Sequence, residues 1–143
     1  RSELVRLDSH GDDADYILRR IREKYITGTS ATIALIGSCT WARRHVDWEI
    51  AATLRDNPTD PRGGLVAIQL ESVDGQSVRL PDRIAANISR DANGNDVGYA
   101  AYYRYTSNGA AVARWIEEAV WRRDNRQPAS GSTPDLKKNN SSC

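Results

Sequence analysis

At 143 residues the chain is long enough for one domain with a real core and too short for two comfortable ones. Lys and Arg number 20 against 19 Asp and Glu, a formal net charge of +1 that gives no electrostatic ground for a nucleic-acid partner. No apolar run approaches the ~20 residues of a membrane helix and no charged-then-apolar leader opens the chain, so no membrane partner is expected.

In chain order, "DDADYILRRIREKY" (12–25) predicts a surface helix, with Asp12 or Asp13 at its start and Ile17, Leu18, Ile21 and Tyr25 on one face. The continuous apolar run "SATIALIG" (30–37), closed by a glycine, predicts a strand buried on both faces. Val46, Ile50 and Leu54 then recur every four residues, which predicts a helix over 44–55 stopped by "DNPTDPRGG". "LVAIQL" (65–70) reads as a second buried strand. The stretch from Glu71 to Gly98 is rich in Asp, Asn, Gly and Pro and reads mainly as loop, with one short element at 82–89. "YAAYYRY" (99–105) suits a short strand, because aromatics favour a pleated surface. Ser107 or Asn108 caps a last helix, 109–123, with Val112, Trp115, Ile116, Ala119 and Val120 inward. Trp121 is also expected in the core rather than on a ligand platform. Residues 1–126 thus form a single α/β domain with an irregular start over 1–11. Residues 127–143 have almost nothing to bury and read as a flexible polar tail.

This alternation implies a parallel sheet covered on both faces, whose ligands gather at the carboxyl ends of the strands. Residues 37–41 occupy such an end, and the helix bearing Glu49 begins just after. Gly37, Ser38 and Thr40 make a small, hydroxyl-bearing turn whose amides suit a phosphate, and Trp41 follows them. The turn matches no established phosphate-loop pattern, and an ordinary strand-to-helix turn explains it equally well. His45 and Glu49 share a helix face, which suits an acid–base pair; charged helix residues also commonly stand in water and pair weakly. Arg43 and Arg44 suit phosphates on the same terms.

Cys39 near a helix start suits a nucleophile, although an isolated cysteine is more often a small packed residue. With Cys143 on a terminal tail, the two cysteines form no disulfide framework, so a reducing, cytoplasmic location is expected. His10, His45, Cys39 and Cys143 lack the spacing of metal ligands, so no metal is expected.

The order "LIGSCTWARRHVDWEI", "GGLVAIQL", "LPDRIAANI", "GYAAYYRY", "VARWIEEAVWRR" resembles a bacterial and archaeal TIR-like domain family that includes the TIR subunit of the Thoeris anti-phage system. The resemblance covers about residues 12–123, and "V-D-W-E-I" after "L-I-G-x-x-T" is its most specific portion. It implies a flavodoxin-like three-layer sandwich and cleavage of NAD+ at the nicotinamide–ribose bond, to give a linear or cyclic ADP-ribose-type signal. It also implies NAD+ as substrate rather than bound cofactor, homo-oligomeric assembly of TIR domains, and a downstream effector protein that senses the product. The family's key residue is a helical Glu in a pattern like W-x-x-x-E, and the matching position here is Glu49. Gly37, Ser38, Thr40, Trp41 and His45 would then line the nucleotide pocket.

Two positions depart from the family. His45 stands where the family often has Trp, and Arg43 or Arg44 where it often has Ser. The family's opening strand has only Leu4, Val5 and Leu7 as candidates, so that strand is expected to be missing from this chain. The degraded W-x-x-x-E pattern and the absent opening strand suit a second reading, a non-catalytic interaction and signalling module.

Overall fold

A computed structural model describes residues 31–55, 62–129 and 136–143. The helix expected over 12–25 and the question of a first strand lie outside the described residues. Within them the chain runs β1 (Ala31–Ile36), α1 (Arg44–Leu54), β2 (Gly64–Gln69), α2 (Asp82–Ala86), β3 (Ala100–Tyr103) and α3 (Gly109–Asn125). Short 3-10 turns at Thr40–Ala42 and Glu71–Val73 follow β1 and β2.

The three strands are parallel in the order β1-β2-β3, with Ala31 opposite Gly64 and Leu65 opposite Ala100. Their continuous apolar sequences reflect burial on both faces, because successive side chains point to opposite sides of a sheet. Ile33, Leu35, Val66 and Ile68 pack with Val112, Ile116 and Ala119 of α3. Ala34, Ile36, Leu65 and Ala67 pack on the other side with Val46, Ile50 and Leu54 of α1 and Ile84 of α2. The result is the expected flavodoxin-like, TIR-like sandwich of helix, sheet and helix.

Local chemistry fixes the ends of these elements. The Asn108 side chain caps α3 by accepting from the amides of Ala110 (3.0 Å) and Ala111 (3.3 Å). At the other end of α3, Arg122 is 5% exposed and reaches inward. It donates to the carbonyls of Tyr99 (3.2 Å), just before β3, and Leu65 (3.4 Å) in β2, tying the helix to the sheet. Helix and sheet approach so closely that a Cβ on Gly64 would stand 2.5 Å from the Ala119 carbonyl oxygen. Gly64→Ala is therefore expected to cost about 1–3 kcal/mol by overpacking. The check is a lower denaturant midpoint at unchanged m-value.

Three expectations are corrected. Trp121 is 54% exposed rather than in the core. Trp115, by contrast, packs against the core as expected, half-buried and stacked on Tyr103 with ring centroids 4.2 Å apart. Burial, with the Glu118 carboxylate at its hydroxyl, raises the pKa of that tyrosine.

Residues 136–143 are not a free tail but lie docked along α1 and the turn before it. Polar contacts hold this segment, so its low hydrophobicity gave no sign of them. Nor are the cysteines free. Cys39 and Cys143 form a disulfide with Cα atoms 5.6 Å apart, which leaves Cys39 no thiolate to act as a nucleophile.

Candidate functional site

β1 ends in a turn that uses its own polar groups. The Gly37 amide donates to Thr40 Oγ1 at 2.8 Å, and Thr40 is 2% exposed. Ser38 is exposed on the outside of the turn. Trp41 carries the Arg79 guanidinium over its ring, 4.0 Å from the centroid.

α1 then begins without a side-chain cap from Arg43. Asn140 substitutes from the far end of the chain, its Oδ1 accepting the Arg44 amide at 2.9 Å. In the first turn Asp47 accepts from Arg83 Nε at 2.6 Å and Nη2 at 3.4 Å, and from the Lys137 amide at 2.7 Å. The Arg83 and Asp47 side chains are only 6% and 16% exposed, so this pair locks α1 to α2 in a largely dry setting. An acid here also suits the helix dipole.

Beside the pair lies a cleft of about 290 Å³. Trp41 and Arg43 come from the turn, Asp47 from α1, Pro81, Asp82 and Arg83 from the start of α2, and Lys137 from the docked segment. The cleft follows β1 and β2 in the chain, at the carboxyl ends where open α/β sheets bind ligands.

Of the six residues assigned to the nucleotide site, Trp41 alone lines this cleft, beside Arg43, which the sequence offered for phosphates. Gly37, Ser38 and Thr40 belong to the turn behind it, and His45 is exposed. Glu49 is half-buried and follows Asp47 by two residues, about 200° around the helix and on the flank turned from α2. The next residue along that flank, Thr53, donates to the Glu49 carbonyl at 3.0 Å and shares a 2.6 Å hydrogen bond with Thr32 of β1. Among the described residues the Glu49 carboxylate makes no hydrogen bond or ion pair, with His45 or with any other group. Asp47, Arg83 and Lys137 were not foreseen. An acid in the first helical turn was the one legible sign of Asp47.

The sequence profile of the family described as "Thoeris protein ThsB, TIR-like domain" matches residues 2–74, 73 of the 143. The chain belongs to this family. The match takes in β1, the turn, α1 and β2 of this TIR-like domain, and so includes Glu49 and the whole "V-D-W-E-I" segment. No curated protein and no solved structure matches the chain. Among the described residues of the TIR-like domain, no helix is long and apolar enough to cross a membrane.

Proposed function

We propose that this TIR-like domain cleaves NAD+ between nicotinamide and ribose, with Glu49 as the working carboxylate, and so releases an ADP-ribose-type signal in anti-phage defence. One observation carries the reading. Glu49 lies within the family-matched segment, half-buried, and among the described residues no cation or donor neutralises it. Departure of nicotinamide leaves an oxocarbenium-like ribose. A negative charge beside the reacting ribose lowers the barrier to forming such a cation. Water completing the reaction gives ADP-ribose and a proton, while an internal nucleophile gives a cyclic product. NAD+ is consumed as substrate, and a cytoplasmic location would expose the domain to it directly. TIR–TIR assembly and a downstream effector that senses the product complete the proposal.

The test incubates the full chain with NAD+, alone at high concentration and with extract of phage-infected cells, and measures nicotinamide by chromatography. Nicotinamide above the protein-free control is the expected result. Its absence under every condition contradicts the reading.

A second reading, a non-catalytic interaction module, has its own support. Glu49 and the cleft lie on different flanks of α1, and five of the six candidate residues do not line that cleft. A homotypic complex by light scattering with no NAD+ binding by calorimetry would favour it.

A further inference from the structure

The docked segment 136–143 crosses the cleft end of the sheet. The Lys137 amide donates to Asp47 Oδ2, and the Lys137 carbonyl accepts from Trp48 Nε1 at 2.8 Å. The Lys138 carbonyl accepts from Arg44 Nη1 at 3.3 Å, and Asn140 caps α1. The Ser141 amide donates to the Ala42 carbonyl at 2.8 Å, and Cys143 is bonded to Cys39 in the turn.

None of these eight residues is buried, and neither hydrophobic cluster includes any of them. Leu136, the only large apolar side chain among them, is 41% exposed. The segment is thus held by exposed hydrogen bonds of small net worth, by one part-buried bond to the Asp47 carboxylate and by one covalent bond. Once that bond is cut, the remaining contacts must oppose the chain entropy of a detached segment. Neither core cluster contains a residue of the segment, and the Asp47–Arg83 ion pair joins α1 to α2 directly.

Access to the bond is open as well. Cys143 is exposed and Cys39 half-buried, so a thiolate can reach the disulfide. In a reducing compartment a disulfide of this kind is typically transient rather than structural.

We infer that residues 136–143 form a redox-released strap over the cleft at the carboxyl ends of β1 and β2. A dithiol reductant supplies two electrons and two protons: the Cys39–Cys143 bond breaks, both sulfurs become thiols, and the reductant becomes its own disulfide. Release removes Lys137 from the cleft wall, withdraws the Asn140 cap from α1 and deprives Asp47 of one of its donors. Opening of the strap stands independently of NAD+ cleavage; only its effect on turnover rests on the function proposed above.

Hydrogen exchange read by mass spectrometry tests the strap on the full chain as oxidised protein, after dithiothreitol, and as Cys143→Ser. In both strap-released forms the amides of 137–143 and of 42–45 are expected to exchange at least 10-fold faster, while Gly64–Gln69 of β2 keeps its protection. Unchanged exchange in 137–143 overturns the proposal. So does loss of β2 protection together with the strap, because the disulfide would then be a staple of the whole fold. Nicotinamide release from NAD+, measured on the same samples, separates the two ideas: a strap that opens without turnover counts against the proposed chemistry and leaves the strap standing.

Discussion

Replacing Asp47 with alanine is expected to destabilise the domain by about 3 kcal/mol, a large share of the roughly 5–15 kcal/mol that holds a domain together. The carboxylate faces a guanidinium that is 6% exposed, so its removal leaves the Arg83 cation in a poorly solvated position without the charge opposite it. The Lys137 amide loses its acceptor and the first turn of α1 loses its acid in the same change. Asp47→Asn, which keeps acceptor oxygen but not charge, should fall between wild type and alanine. The paired change Asp47→Leu with Arg83→Met should recover part of the loss, since a buried ion pair replaced on both sides by apolar groups is often tolerated. Urea midpoints of the four proteins, analysed at a common m-value, measure each step.

Glu49→Gln should do the opposite. The amide matches the carboxylate in size, and among the described residues that carboxylate holds no partner, so stability should move by no more than about 0.5 kcal/mol. Turnover of NAD+ should fall at least ~100-fold, the scale on which removing one preorganised electrostatic group acts in an active site. On the proposed reading, two acids two residues apart on one helix divide the work. Asp47 holds α1 against α2, and Glu49 is kept unneutralised on the other flank.

What the sequence made legible follows from local patterning. The runs at 30–37 and 65–70 read as buried strands because both faces of β1 and β2 are covered. The four-residue recurrence of Val46, Ile50 and Leu54 marked α1, and Asn108 before a periodic segment marked α3. Non-local pairings were illegible. Asp47 and Arg83 are 36 residues apart, and Asn140 caps a residue 96 positions earlier. Arg122 looked like any basic residue in a last helical turn, yet it is buried and donates to the carbonyls of Tyr99 and Leu65. The cleft was illegible for the same reason, since its walls come from the turn, α1, α2 and the strap. Trp41 was found because it directly follows the turn, whereas Lys137 lay in a segment whose composition suggested no structure.

The most direct test of the central claim compares nicotinamide release from NAD+ by wild type and Glu49→Gln at equal concentration, with matched thermal melts showing that both are folded. Release by the wild type, with at least ~100-fold less from Glu49→Gln, is the result expected if this carboxylate supports the departing-group step. Equal release by the two proteins would contradict it and move the chemistry away from Glu49.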